Sequence, residues 1–208
     1  MNPSPPRITC LLYSDATVPA FLRSPVGQTF AGDLLVECAL GPALGYVLNL
    51  ETPRNYPGVT GLLGGADVAT FAHPTELLPA PIILAPGAAI SPALVRAALG
   101  RLCQPDERLR SVTLLVPLAD ARPLGAGLAV ADRYVIAWDA AAFPHEELVD
   151  FAHWLAAEGL LTAANFAGLH PYATAPLEPA HAQRLAACLL PLNARLPGFR
   201  PEVAFVSA

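Results

Sequence analysis

Short apolar runs bounded by glycine or proline recur along the whole chain, and they constrain its fold more than any other feature. The runs are continuous rather than alternating, which is typical of strands buried on both faces of a helix-covered sheet. We predict seven strands, at residues 8–13, 34–40, 44–50, 81–85, 112–116, 134–138 and 203–206. Gly41 and Pro42 predict the turn of a hairpin over residues 33–50.

Start and stop signals predict three helices, all after residue 90. Ser91 followed by Pro92 is typical of a helix start, and this helix should run to about residue 103. The second is predicted at 144–159. The third starts at 178–179, and Pro191 should kink or end it. No helix is predicted in the first eighty residues.

These elements predict the fold class α/β, with α+β as the alternative. Strand, helix and strand over residues 82–116 fit a βαβ unit, and residues 134–138 with the second helix fit another. We expect a mixed, largely buried sheet that is covered by helices in three layers. A single domain should span residues 1–208, with an extended, β-rich part at 1–80 and a β/α part at 81–208.

The chain contains no lysine, since all 12 of its basic residues are arginine. Without lysine there is no Schiff base to pyridoxal phosphate and no phosphate-loop lysine, so a Walker-type nucleotide site is not expected. A divalent metal is the cofactor left open. The formal charge of −5 without a basic block argues against nucleic acid as a partner.

Hydropathy, the N-terminal sequence and the cysteines predict whether copies of the chain associate and where in the cell the protein is located. Apolar residues make up 54% of the chain and mean hydropathy is +0.45, which predicts a homo-oligomer that hides apolar surface. Prolines interrupt the charge-free windows at 77–95 and 159–177, so no membrane span is expected. The N-terminus lacks a signal pattern, and the four dispersed cysteines are expected to be reduced, as in a cytoplasmic protein.

Several acids directly follow predicted strands. Asp15, Asp120 and Asp139 would converge at one edge if their strands were parallel neighbours, since ligands bind at the carboxyl ends of strands in open α/β sheets. Converging carboxylates can bind Mg²⁺ or perform acid–base chemistry. Asp139 is the leading catalytic candidate, ahead of Asp15, Asp120, His145 and His170. The alternative is that these acids cap turns.

The second predicted helix carries a candidate metal site and a candidate contact residue. Glu146, Asp150 and His153 share one flank at spacings of four and three residues, although the His-Glu-x-x-His pattern of zinc helices is absent. A solvated helix face is the alternative. Trp154 lies on the polar side, where it would be a partner-binding anchor unless a loop covers it.

The segment from Gly87 to Ser91 links a predicted strand to a helix start. Backbone N–H groups at such a position can hold an anion, and Ser91 could donate as well. A simple capped turn is the alternative, since the segment has a single glycine.

Three functions follow from these features. The leading hypothesis is a non-catalytic module that forms oligomers or binds a partner, because charge is sparse and no Gly-x-Ser-x-Gly elbow is present. The alternative is an enzyme, a metal-assisted hydrolase or lyase that acts on a small anionic substrate at the strand ends. The second alternative is a sensor of a phosphorylated metabolite at residues 87–91.

Overall fold

The computed structural model describes residues 4–14, 17–40, 44–50, 53–104, 109–141, 145–160, 162, 164–174, 176–193 and 204–205. The description is limited to the backbone at residues 126, 145–146, 188–193 and 204–205. The strands are β1 Arg7–Tyr13, β2 Leu34–Glu37, β3 Ile82–Ile83, β4 Ser111–Pro117, β5 Arg133–Asp139, β6 Phe166–Ala173 and β7 Ala204–Phe205. The helices are α1 Val18–Arg23, α2 Pro25–Gln28, α3 Leu44–Val47, α4 Pro92–Leu102, α5 Leu118–Leu124, α6 His145–Ala157 and α7 Pro179–Asn193, with 3₁₀ segments at Gly58–Gly64, Val68–Thr70 and Gly125–Val130.

The seven strands form one sheet in the order β3-β2-β4-β1-β5-β6-β7, and every pair of neighbouring strands is parallel. After β1, the chain places β2 and β3 on one side of β1. It then returns to β4, which lies between β2 and β1, and crosses β1 to place β5, β6 and β7 on the other side. The strand order therefore reverses at β1, which is where open α/β sheets form a ligand crevice. The predicted three-layer α/β class is confirmed, whereas the sheet is not mixed as expected, since all described pairs of these seven strands are parallel.

Alternate side chains of the central strands pack into two separate cores. Cys10 and Leu12 of β1 face the layer that contains α4, α5 and α6. Leu11 and Tyr13 face the layer that contains α1 and α3. Because both faces are covered, both sets of positions are apolar, which explains the continuous apolar runs in the sequence.

Two predicted helices are confirmed closely. Ser91 has extended backbone angles directly before α4, and Pro92 is the first helical residue. In α6, Leu148, Ala152 and Leu155 form the buried face. The helix α7 continues through Pro191 and ends at Asn193, two residues beyond the predicted break.

The prediction of a strand at residues 44–50 is wrong. Leu44–Val47 forms the short helix α3, whose first N–H is held by the carboxylate of Glu37. Both edges of β2 are already paired, with β3 and β4, so no edge is left for a hairpin partner. Gly41 and Pro42 lie outside the described residues.

Several elements were not predicted, among them the helix α5. The first eighty residues contain the short helices α1, α2 and α3, in contrast to the prediction of no helix there. Residues 160–177, where no strand or helix was predicted, contain the eight-residue strand β6. Gly168 and Pro171 interrupt the apolar run in β6, and Gly168 has a φ of 144° that side chains rarely adopt. Among the described residues, no helix has the length and apolar character needed to cross a bilayer.

Candidate functional site

A group of hydroxyls and one carboxylate lies at the carboxyl ends of β1 and β5. Asp139, the last residue of β5, is only 2% exposed. Its Oδ2 accepts a hydrogen bond from Thr17 Oγ1 at 2.8 Å, and its Oδ1 accepts one from the Ala141 N–H at 2.9 Å. The Asp139 N–H donates to Ser14 Oγ at 2.8 Å. This residue therefore ties the end of β1 and the start of α1 to β5.

Tyr172 completes what we call the strand-end cluster, which consists of Ser14, Thr17, Asp139 and Tyr172. The Tyr172 hydroxyl lies 2.8 Å from Thr17 Oγ1, and the residue is paired with Asp139 in the register of β5 and β6. Thr17 directly precedes α1, yet its side chain makes no capping bond to the helix. Its hydroxyl is instead directed at the carboxylate.

The other predicted strand-end acids have different surroundings. Asp120 lies in α5, directly after β4, and its Oδ2 accepts the Leu40 N–H at 3.0 Å. The strands β4, β1 and β5 are parallel neighbours, as the convergence hypothesis requires. Among the described residues, however, no hydrogen bond joins Asp120 to Asp139. Asp15 lies outside the described residues.

A buried acid at the end of β2 was missed by the sequence analysis. Glu37 is 0% exposed and accepts the Leu44 N–H at Oε1 (2.6 Å) and the Ala85 N–H at Oε2 (2.8 Å). The available signal was an acid inside the apolar run 34–40. A buried carboxylate needs hydrogen-bond donors from the protein. These two hydrogen bonds hold the segments that follow β2 and β3 against Glu37.

Tyr13, at the end of β1, lies beside these acids. Burial, and then the negative charges of Glu37 and Asp120, raise the pKa of Tyr13 well above its usual value. Its hydroxyl is buried and has no hydrogen-bond partner within the described part of the chain. Tyr13 is therefore held as a neutral phenol at the edge where the strand order reverses.

Of the two histidines proposed for catalysis, His170 lies away from this cluster. His170 is paired with Ala137 in the middle of the sheet, and its ring centroid lies 5.1 Å from that of Phe30 and 6.2 Å from that of Phe21. It is part of an aromatic layer beneath α1 rather than of the strand ends. The side chain of His145 lies outside the described residues.

The candidate metal ligands lie on the first turns and the middle of α6. Asp150 and His153 are exposed, and the side chain of Glu146 is outside the description. The described residues contain no group of three His, Cys, Asp or Glu side chains that could hold a metal ion. A site that combines all three α6 residues stays a prediction.

A cleft of about 350 Å³ separates α5 from α6. Its floor is aromatic and apolar, whereas Arg122 lines it from α5 and Glu147 and Asp150 line it from α6. Trp154 is half-buried beside this cleft rather than fully exposed. The Arg122 guanidinium carbon lies 5.7 Å from its ring centre, and the Phe151 ring lies 5.4 Å away.

The predicted anion site at the start of α4 is closely packed. The Gly87 N–H donates to the carbonyl oxygen of Tyr56 at 3.0 Å. A Cβ at Gly87 would lie 2.0 Å from the carbonyl oxygen of Pro53, so packing requires glycine here. The Ser91 side chain makes no capping bond to α4. Anion binding by Ser91 stays a prediction, and the Gly87 N–H is already engaged.

The described cysteines do not provide a nucleophile. Cys10 and Cys38 are fully buried, and Cys103 is half-buried, all as free thiols. Burial raises the pKa of each of these three thiols, which disfavours the reactive thiolate.

Comparison with known proteins gives a fold but no family. No protein-family model matches the chain, and no curated protein matches it. A solved ATP complex of an McdA variant from Cyanothece aligns with 96% of this chain and 83% of its own, at 15% identity and a TM-score of 0.60. Cobyrinic acid a,c-diamide synthase from Mycobacterium smegmatis, solved with ADP and magnesium, covers 91% and 82% at 16% identity and a TM-score of 0.58. The kinase domain of VpsO covers 79% and 83% at 18% identity and a TM-score of 0.55. At these identities the likeness shows the fold alone.

The exclusion of a Walker-type nucleotide site from the missing lysine is wrong. Solved proteins of this fold hold ATP, or ADP with magnesium. A lysine is only one of the groups that contact phosphates in such sites, since backbone N–H groups and a hydroxyl contribute too. The missing lysine therefore limits how phosphate can be bound and does not exclude a nucleotide.

Proposed function

We propose that this protein is a magnesium-dependent nucleotide-binding module, with its site at the carboxyl ends of β4, β1 and β5. The observation that carries the proposal is the hydrogen bond of 2.8 Å between Thr17 Oγ1 and Asp139 Oδ2. It joins a hydroxyl directly before the first helix to a carboxylate on a strand next to β1. Phosphate-loop proteins hold Mg²⁺ with a hydroxyl and a carboxylate that come from such positions.

The donor set of the strand-end cluster fits Mg²⁺. Thr17 and Asp139 offer hydroxyl and carboxylate oxygens, which are the donors that hard cations prefer. Protein sites usually bind Mg²⁺ through one or two carboxylates, and phosphates and water supply the rest. The lack of a three-acid group among the described residues is compatible with this arrangement. A bound Mg²⁺–nucleotide would bring phosphate oxygens to these two side chains.

The sequence of the loop argues for binding without rapid turnover. Residues 14–17 are Ser, Asp, Ala and Thr, so they contain neither glycine nor lysine. Phosphoryl transfer depends on cations that neutralise charge on the transferring group, and residues 14–17 contribute no cationic side chain. We therefore propose that the module binds a nucleotide without rapid catalysis, which retains the non-catalytic function of the leading hypothesis and adds a small-molecule ligand.

Calorimetric titration with ATP and ADP, with and without Mg²⁺, tests this proposal. We expect saturable binding that needs Mg²⁺ and that weakens by about tenfold or more in Thr17→Val and Asp139→Asn. Thr29→Val is the matched control, because Thr29 Oγ1 also donates a hydrogen bond, to the Val26 carbonyl oxygen, on an exposed turn. Absence of binding to the wild type at millimolar nucleotide would refute the proposal, as would equal affinity in all variants.

A second function, partner binding, is favoured by the cleft between α5 and α6. Trp138 and Phe151 contribute aromatic surface to it, and Glu147 and Asp150 contribute carboxylates. The two carboxylates outnumber Arg122 in the lining, so the cleft has a net negative charge that suits the guanidinium of a basic partner segment, with Trp154 at the edge of the contact. A fluorescence titration with a short peptide of arginine and leucine should saturate, and it should weaken in Asp150→Asn but not in the exposed control Glu158→Gln. Binding unchanged by Asp150→Asn would count against it.

We also infer self-association and a cytoplasmic location, as the composition predicts. High hydropathy supports the first inference, and dispersed free cysteines support the second.

A further inference from the structure

Two arginines lie on neighbouring strands at the opposite edge of the sheet, where the strands begin. Arg7 is the first residue of β1 and Arg133 is the first residue of β5, its direct neighbour. The register pairs Arg133 with Thr9, two residues after Arg7. Side chains alternate along strands, so Arg7, Thr9 and Arg133 share the face on which Leu11 and Val135 are buried.

The guanidinium of Arg133 is held in one orientation by three contacts. Its Nε donates to Thr9 Oγ1 at 2.7 Å, and its Nη2 lies 3.5 Å from the Thr29 carbonyl oxygen. Its central carbon lies 5.6 Å from the ring centre of Phe30. Nε is thereby engaged, while N–H groups on the terminal nitrogens stay available for a ligand. A guanidinium fixed in this way loses little entropy when it binds an oxyanion.

Neither arginine has an ion-pair partner among the described residues. The nearby acids are engaged with backbone: Asp132 Oδ2 accepts the Ile8 N–H at 2.7 Å, and Asp33 Oδ2 accepts the N–H groups of Arg110 and Ser111 at 2.9 and 3.0 Å. Burial, and then the charge of Arg7, lower the pKa of Arg133. The positive charge of the exposed Arg7 therefore acts on the half-buried guanidinium of Arg133, and no described ion pair offsets it.

We propose that Arg7 and Arg133 bind the phosphate group of a small molecule at the amino edge of the sheet. Two guanidinium groups match the charge of a phosphate dianion, and each can donate two N–H groups to its oxygens. Asp33 and Asp132 lie at the same edge and would repel an extended polyanion. A single phosphate group therefore fits better than a nucleic acid backbone. This site is separate from the strand-end cluster and does not depend on the proposed nucleotide function.

Titration with inorganic phosphate at constant ionic strength tests this site, with acetate as the monoanionic comparison. Backbone amide NMR shifts should change at the start of β1 and β5, with saturation at millimolar phosphate and a weaker response to acetate. Arg133→Gln and Arg7→Gln should each weaken phosphate binding by about tenfold, because each removes charge-assisted hydrogen bonds. Arg7 is exposed, so its replacement should leave folding intact.

Two controls distinguish this site from phosphate binding elsewhere on the surface. Arg101→Gln removes an exposed arginine from α4 and should bind phosphate like the wild type. Thr17→Val should also leave these shifts unchanged. The inference is overturned if phosphate causes no saturable shifts at this edge, or if Arg7→Gln and Arg133→Gln bind it as well as Arg101→Gln does. Tighter binding of a single-stranded oligonucleotide through the same arginines would overturn the assignment to a small ligand.

Discussion

At the scale of single residues, the strand ends are organised by more polar groups than the sequence alone identifies. Asp139 was predicted because it directly follows an apolar run, and the structure buries it in the strand-end cluster. Thr17 and Tyr172 carry no such signal, since a threonine and a tyrosine occur in many settings. Only the strand order β1-β5-β6 brings them to Asp139. Partners that meet across more than a hundred residues are invisible to local patterns.

Replacement of Glu37 tests how strongly one buried carboxylate supports this edge. Glu37→Gln puts an amide where both oxygens accept backbone N–H groups, so one buried N–H loses its acceptor. The free energy of unfolding should fall by about 1–3 kcal/mol, measured by urea denaturation. Glu76→Gln, on an exposed acid, is the control and should change it by less than about 0.5 kcal/mol. Equal stability of the two variants would show that Glu37 is not a structural acceptor.

Tyr13→Phe should stabilise the protein more at alkaline pH than at neutral pH. Its hydroxyl lacks a described partner, so its removal at pH 7 should leave stability unchanged or raise it by about 1 kcal/mol. Above a pH of about 10 an unfolded tyrosine ionises, whereas burial keeps Tyr13 protonated in the fold by raising its pKa. The wild type therefore loses stability as pH rises through this range, and the variant should lose less. Denaturation curves at pH 7 and 10.5 measure this, and identical slopes would contradict it.

At the scale of elements, the sequence predicts those strands whose apolar runs are uninterrupted. The cores of β1, β4 and β5 were predicted within one residue at each end, because both faces of these strands are covered. The run at 44–50 looks the same locally but forms α3, since β2 has no free edge for it. The strand β6 was missed for the opposite reason, because Gly168 and Pro171 break its pattern. In both segments, the strand edges available for pairing determined the secondary structure, and the local apolar pattern did not.

Alanine replacements of Gly87 and Gly100 test whether close packing or helix propensity governs each position. Gly87→Ala places a Cβ 2.0 Å from the Pro53 carbonyl oxygen, so the loop before α4 must shift, at about 1–3 kcal/mol. Gly100 lies inside α4 with nothing within 4 Å of an added Cβ. Gly100→Ala should therefore stabilise the protein by about 0.5–1 kcal/mol through helix propensity. Thermal unfolding of both variants should show melting temperatures that move in opposite directions. A destabilised Gly100→Ala would contradict this account of α4.

At the scale of the whole molecule, the parallel order gives the sheet two chemically different edges. The carboxyl edge contains the strand-end cluster and Glu37, whereas the amino edge contains Arg7 and Arg133. Only the first edge was predicted from the sequence, because acids after strands were the signal. An arginine before a strand gave no comparable signal, since isolated arginines are common on surfaces. The fold therefore adds a candidate anion site at a place that no sequence pattern indicated.

Self-association remains the prediction that composition makes for the molecule, and the surface offers a place to test it. Tyr46 is 95% exposed and Val47 is 41% exposed on the short helix α3, whereas large apolar side chains are usually covered. If this surface is buried between copies, Tyr46→Glu should shift the molecular mass toward the monomer in size-exclusion chromatography with light scattering. Leu77→Glu, at another exposed apolar residue, should leave the mass unchanged. A wild type that stays monomeric at high concentration would refute self-association. The charge of this chain is sparse, so electrostatic repulsion is too weak to keep two copies apart if their apolar surfaces bind each other.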